Sequence, residues 1–155
     1  MYTQILVPID GSPTSDHALG EAAGLAQLAG ARVRLLHIVD PMEHTNGFER
    51  PEVYHRDVLP GALRAGEALL RQAQKRLAQR GVQAETALVQ SLGPRVAQLV
   101  VEQAQQWGAD LIVLGTQGRR GLPRLMMGSD AEQVARTAPV PVLLVRGAQA
   151  GAAPA

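Results

Sequence analysis

The sequence predicts an α/β fold in which a doubly wound, five-stranded parallel sheet carries helices on both faces. Three observations favour this fold. Five short apolar runs alternate with four longer segments of helical periodicity. The apolar runs are nearly continuous rather than strictly alternating, as expected for strands that are covered on both faces. Glycine and proline separate the segments and mark the turns between them.

The composition limits the classes of function that the chain can have. The 155 residues fit one domain, and 46% hydrophobic with 19% charged residues is typical of a globular chain. The net charge of +1 gives no support to a broad nucleic-acid surface, and the absence of cysteine excludes a disulfide framework and a thiol nucleophile. No apolar run reaches the ~18 residues of a membrane span, and the first residues lack a signal-peptide pattern. We therefore expect a cytoplasmic protein without nucleic-acid or membrane partners.

The first half of the chain predicts a strand, a helix and a second strand. Residues 4–9 are an apolar run closed by turn-forming residues. Residues 14–29 are rich in alanine, have one apolar face and stop at Gly30, which suits a helix C-cap. Residues 32–39 are again apolar and form the second predicted strand. Residues 41–57 show no clear period, and we expect a long, mobile connection there.

The second half continues the alternation. Leucines, alanines and a glycine recur at spacings of three and four along the next segment, which is the clearest helical stripe in the chain. The last strand is followed by an Ala/Gly-rich tail, 147–155, which we expect to be flexible. The predicted elements are a helix over 59–77, an outer strand over 82–89, a helix over 94–107, a strand over 110–114, a helix over 129–137 and a strand over 139–145.

The loop after the fourth strand carries the strongest functional signal. In a doubly wound sheet, ligands bind beyond the carboxyl ends of the strands. Gly115 and Gly118 allow the backbone to approach a ligand closely, and Gly128-Ser129 opens a helix whose first amides attract anions. This pattern indicates a phosphate site, with a simple flexible turn as the alternative. Asp10, at the end of the first strand, suits either ligand contact or turn formation.

Three motifs resemble the universal stress protein family. Gly115-x₂-Gly118-x₉-Gly128-Ser129 is similar to its nucleotide-binding signature. The segment 5–12 resembles its first strand and acidic turn, and the segment 138–145 resembles its last strand. The resemblance covers roughly residues 2–146, nearly the whole chain. It implies a single nucleotide-binding domain over 1–146 and the sheet order 3-2-1-4-5.

The resemblance also implies a binding site for ATP or AMP, with Mg²⁺ as an open option. Its site residues have stated places around the nucleotide. Pro8 and Ile9 lie beneath it, Ile38 and Val39 contact the adenine, Gly115 lies by the ribose, and Gly118, Gly128 and Ser129 hold the phosphates. Asp10 lies near both the ribose and the phosphates, and Thr116, Arg119 and Asp130 complete the predicted nucleotide-binding residues. The family further implies a homodimer that pairs through the last strand and at most slow ATP hydrolysis.

Asp130 departs from the family pattern, because many members have valine at this position. A carboxylate 4 Å from a phosphate repels it by ~4 kcal/mol at an effective dielectric constant of 20. Either the side chain points away as a helix cap, or it holds Mg²⁺ against the phosphates. The neighbouring arginines at 119, 120 and 124 could offset the charge.

Other sites fit the sequence less well. The Walker A motif is absent, since the only lysine is Lys75, and the turn after the first strand is not a dinucleotide fingerprint. The four histidines have no metal-ligand spacing. We expect a stress-response protein that acts as a nucleotide-dependent regulatory module through unknown protein partners. A nucleotide-independent dimeric adaptor and a slow ATPase or autophosphorylating enzyme remain the alternatives.

Overall fold

A computed structural model describes residues 1–40, 50–117 and 127–147 of the chain. Strands and helices alternate along it as the sequence predicts. The elements in order are β1 (Gln4–Pro8), α1 (Pro13–Ala29), β2 (Arg32–Val39), a short helical turn (Pro51–Val53), a π-helical turn (Tyr54–Val58), α2 (Leu59–Gln79), β3 (Ala84–Gln90), α3 (Val96–Trp107), β4 (Leu111–Gly115), α4 (Ser129–Thr137) and β5 (Val142–Val145).

The strands form one parallel sheet with the order β3-β2-β1-β4-β5, which confirms the predicted topology. β1 lies at the centre, where Ile5 pairs with Val33 of β2 on one side and with Leu111 of β4 on the other. The chain therefore winds outward in both directions from β1. Such a reversal of strand order opens a crevice at the carboxyl ends of the central strands.

Each face of the sheet has its own hydrophobic core. Ile5 and Val7 of β1 pack with side chains of α1 and α2, whereas Leu6 between them packs with α3 and α4. Alternate side chains of a strand point to opposite faces, so a strand covered on both faces must be apolar throughout. This is why the apolar runs predicted the strands. Among the described residues, no helix is long and apolar enough to cross a membrane.

The prediction of a connection without regular structure over residues 41–57 was wrong for its second part. Residues 51–58 are helical and lead directly into α2. Pro51 occupies the first helical position, where its fixed φ is favourable, and the ring of Tyr54 is buried. Burial of one aromatic ring is a tertiary effect that leaves no periodicity in the sequence. Residues 41–49 of this connection lie outside the described residues.

The last strand is shorter than predicted. β5 begins at Val142 instead of residue 139, because Pro139 and Pro141 have no backbone N–H for the ladder. The carbonyl of Pro141 still accepts a hydrogen bond from the Ile112 amide at 3.0 Å. Of the predicted tail, residues 148–155 lie outside the described part of the chain.

Asp110 ties the amino-terminal ends of β1 and β4 together. Its carboxylate accepts hydrogen bonds from the amides of Thr3 (2.8 Å) and Gln4 (3.0 Å) and from the Thr3 hydroxyl (2.8 Å). Burial by itself raises the pKa of Asp110, but these hydrogen bonds outweigh it, so the pKa lies below the ordinary value. The ionised carboxylate therefore stabilises the fold at the edge opposite the crevice.

Asp110→Asn should lower the free energy of unfolding by about 1–2 kcal/mol at pH 7, because it weakens charge-assisted hydrogen bonds. The deficit should shrink as the pH falls. A carboxyl whose folded pKa is lowered stabilises above its unfolded pKa, ~3.9, and loses that effect as the pH falls through the folded value. Urea unfolding followed by Trp107 fluorescence at pH 7 and pH 3 measures this. Glu21→Gln, at an exposed carboxylate of α1, is the control, and an equal deficit at both pH values would contradict the assignment.

Candidate functional site

A cleft lies at the carboxyl edge of the sheet, where the predicted site residues meet. Its walls come from the ends of β1, β2 and β4 and from the first turns of α3 and α4. The predicted residues that line it are Pro8, Ile9, Asp10, Ile38, Gly115, Thr116, Gly128, Ser129 and Asp130. Three other residues were predicted for the site. Val39 is buried and does not line the cleft, and Gly118 and Arg119 lie outside the described residues.

The turn after β1 forms one wall. The Asp10 carboxylate accepts a hydrogen bond from the Ser12 amide at 2.9 Å, while the Asp10 amide donates to the Ser15 hydroxyl at 3.1 Å. Ser12 caps α1, because its hydroxyl accepts from the Ser15 amide at 3.2 Å. Asp10 is thus a turn former that also lines the cleft, and its contact with a ligand stays a prediction.

His37 of β2 is buried and also lines the cleft. Its side chain is only 4% exposed, and its Nδ1 lies 2.8 Å from the Ile9 carbonyl oxygen. The Ile9 amide in turn donates to the Leu36 carbonyl at 2.8 Å. These bonds hold the end of β1 against β2. A histidine within an apolar strand gives no sequence signal that distinguishes packing from cleft lining.

The loop between β4 and α4 is fixed where it begins and where it ends. The Gly128 amide donates to the Thr116 carbonyl at 2.6 Å, and the Thr116 amide donates to the Val145 carbonyl at 3.0 Å. The Gln117 carbonyl accepts hydrogen bonds from the hydroxyls of Thr14 and Ser12. The start of α4 is therefore held beside the end of β4, at the cleft.

The first turn of α4 lines this cleft. Gly128 uses its own amide for Thr116, and the first helical bond runs from the Glu132 amide to the Gly128 carbonyl at 3.0 Å. Ser129, Asp130 and Ala131 form the turn that precedes that bond, the amino-terminal part of the helix toward which its amides point. All three residues line the cleft. Amides in this position, together with the helix dipole, favour an anion.

Both acidic side chains of the described lining belong to residues predicted for the site. They are Asp10, which is half-buried, and Asp130, which is exposed on the first turn of α4. Carboxylates beside anion-binding amides favour a ligand that brings a cation with its phosphates. Within the described residues, no group of three or more His, Cys, Asp or Glu residues could hold a metal ion by itself.

Gly115 must be small. A Cβ atom at this position would lie 2.6 Å from the Thr14 hydroxyl oxygen and 2.7 Å from the Thr14 carbonyl carbon. The second contact involves backbone, which cannot swing aside as a flexible side chain can. The absence of a side chain therefore lets the end of β4 approach the amino terminus of α1 and places Thr116 in the cleft.

Comparison with known proteins gave consistent matches. The sequence model described as the universal stress protein family matches residues 1–146. Universal stress protein YxiE of Bacillus subtilis is 32% identical over 151 residues, which cover 94% of this chain and 100% of that protein. The solved structure of universal stress protein UspA from Lactobacillus plantarum superposes with a TM-score of 0.80 at 28% identity, covering 94% of this chain and 98% of the other.

Two further solved structures are complexes with an adenine nucleotide. A universal stress protein in complex with cAMP has a TM-score of 0.69 at 24% identity and covers 95% of this chain and 99% of its own. The universal stress protein from Archaeoglobus fulgidus in complex with dAMP has a TM-score of 0.64 at 24% identity, with 94% and 98% covered. At 24% identity, the similarity of these two structures to this chain establishes a shared fold.

Gly115→Ala should destabilise the protein by about 1–3 kcal/mol, because the added methyl group overpacks against the Thr14 backbone. Gly24→Ala is the matched control. It lies within α1, with no atom within 4 Å of the added Cβ, and should stabilise by about 0.5–1 kcal/mol. Urea unfolding of both variants measures the difference. Equal effects of the two substitutions would show that the close approach at Gly115 is absent.

Proposed function

The chain belongs to the universal stress protein family, and from this premise we propose that its cleft binds an adenine nucleotide. The protein then acts in the cytoplasm as a regulatory module of the stress response, whose contacts with partner proteins depend on the bound nucleotide. The observation that carries the proposal is that the first turn of α4, the Asp10 turn and the end of β4 all line one cleft. The cAMP and dAMP complexes of two structural relatives support the adenine class.

The cleft has a polar side and an apolar side that match the two ends of such a ligand. Hydroxyl groups of Ser12, Ser15 and Ser129 line it near the α1 and α4 termini, where the phosphates would bind. Ile38, Val96 and other aliphatic side chains line the rest and suit a purine base. A nucleotide bound in this direction places its negative charge at the helix amides and its base in apolar surroundings.

The two carboxylates set the conditions of binding. AMP carries fewer phosphate charges than ATP, so repulsion by Asp130 affects ATP more strongly. We propose that ATP binds with Mg²⁺ between its phosphates and the carboxylates of the cleft. Hydrolysis would be slow at most. A nucleotide-independent adaptor is favoured instead if neither AMP nor Mg-ATP binds. Steady phosphate release that Ser129→Ala abolishes would favour the slow ATPase.

Asp130→Asn should strengthen the binding of ATP in the absence of divalent cations by about three- to tenfold, because it removes a like charge that solvent partly screens. With Mg²⁺ the gain should become smaller or reverse. Calorimetric titration with ATP, with and without Mg²⁺, measures both. Glu132→Gln, which changes the same charge one position beyond the cleft-lining turn, should leave the affinities unchanged. Identical cation-free affinities of Asp130→Asn and the wild type would contradict the assigned position of Asp130.

The protein forms a homodimer through β5 in this proposal. The backbone of Pro141 and Val145 bonds to β4, so the backbone groups of Val142 and Leu144 point away from the sheet at its edge. Leu143, 37% exposed, adds an apolar surface. An uncovered apolar edge strand favours pairing with a second copy.

Leu143→Lys should convert the dimer to a monomer, because a charge on an edge strand opposes pairing. Sedimentation velocity at micromolar concentration measures the mass in solution. Leu28→Lys is the control, since Leu28 is 85% exposed at the end of α1, away from β5. A wild-type protein that sediments as a monomer, or a Leu143→Lys dimer, would contradict the assignment of the interface.

A further inference from the structure

We propose that Thr14 is a positioning residue, which holds the start of the β4–α4 loop in the conformation that the nucleotide requires. This inference rests on the proposed function and deepens it. Thr14 is only 5% exposed and does not line the cleft. Any effect of Thr14 on ligand binding must therefore pass through the residues that it touches.

The hydroxyl of Thr14 acts on the loop backbone. It donates a hydrogen bond to the carbonyl oxygen of Gln117, which itself lines the cleft. The Ser12 hydroxyl lies 3.4 Å from the same carbonyl oxygen and 3.5 Å from the Thr14 hydroxyl. Two hydroxyls of the α1 terminus thus converge on one carbonyl from a segment about a hundred residues later in the chain.

The rest of Thr14 is held in place by packing. Its backbone lies against Gly115, where an added Cβ would be 2.7 Å from the Thr14 carbonyl carbon. Its methyl group lies 3.0 Å from the position of a Cβ on Gly147, just after β5. Since α1 cannot shift against these two strand ends, the hydroxyl presents a fixed donor to Gln117.

The Gln117 carbonyl belongs to the second residue after β4, at the wall of the cleft. Thr116 is already held at both of its backbone groups, by Gly128 and Val145. The bond from Thr14 holds the next carbonyl, that of Gln117, which lines the cleft. A cleft wall that is held in place before binding loses less conformational freedom when the nucleotide binds.

Thr14→Val removes the donor and keeps the shape of the side chain. We expect it to weaken AMP binding about tenfold, the factor that corresponds to the loss of one buried hydrogen bond. Amide hydrogen exchange at Gly128 should accelerate, since its acceptor Thr116 precedes the released carbonyl. Thr14→Ser keeps the donor and removes the methyl group that faces Gly147, and should bind AMP within about twofold of the wild type.

The matched control is Thr137→Val, which removes a hydroxyl that donates to the Gln133 carbonyl at 2.8 Å at the far end of α4. It should leave AMP binding and exchange at Gly128 unchanged. Calorimetric titration with AMP, urea unfolding and amide exchange are measured for all variants. If Thr14→Val does not fold, Thr14→Ala also removes the donor, and its comparison with Thr14→Ser, which lacks only the methyl group, gives the effect of the hydroxyl, with the same expected weakening.

The outcomes separate this inference from the proposed function. If the wild type binds AMP and the variants without the hydroxyl bind it equally well, the positioning role is wrong while the proposed function stands. If Thr14→Ser, which keeps the hydroxyl, loses as much affinity as Thr14→Val, the hydroxyl does not by itself hold the site and the inference is also overturned. If the wild type does not bind AMP, the inference and this part of the proposed function both fail.

Discussion

The reversal of strand order at β1 is the constraint on which the rest of the molecule depends. β2 and β4 lie on opposite sides of β1, so the chain leaves the carboxyl end of β1 in one direction and returns on the other side later. Among the described residues, the ends of β1, β2 and β4 border an open cleft where the two halves of the sheet diverge. The cleft follows from this topology, and the residues at the ends of β1, β2 and β4 line it by necessity.

Backbone hydrogen bonds then convert the crevice into a candidate nucleotide site. The bond from the Gly128 amide to the Thr116 carbonyl holds the start of α4 beside the end of β4, and Gly115 permits the close approach of α1. Ser12, Ser15 and Ser129 line this cleft beside the first turn of α4, and a helix amino terminus favours anions through its amides and dipole. The carboxylates of Asp10 and Asp130 make the same site sensitive to cations.

The sequence predicted most of the fold because the strands are buried on both faces, and complete burial leaves a continuous apolar run. It missed the helical residues 51–58, which depend on the burial of Tyr54. In the site, Gly115, Gly128 and Ser129, which the motif spacing singled out, all line the cleft. The contact of His37 with the Ile9 carbonyl and that of the Thr14 hydroxyl with the Gln117 carbonyl each join residues distant in the chain. Such contacts leave no local sequence pattern.

An NMR titration of the ¹⁵N-labelled wild-type protein with AMP tests the central claim, adenine-nucleotide binding in the cleft, most directly. The account predicts saturable shifts of the backbone amide signals of Asp10, Thr116 and Ser129. The amides of Thr3 and Gln4, at the opposite edge of the sheet, should not move. The absence of any saturable shift, or saturable shifts confined to residues outside the cleft, would contradict it.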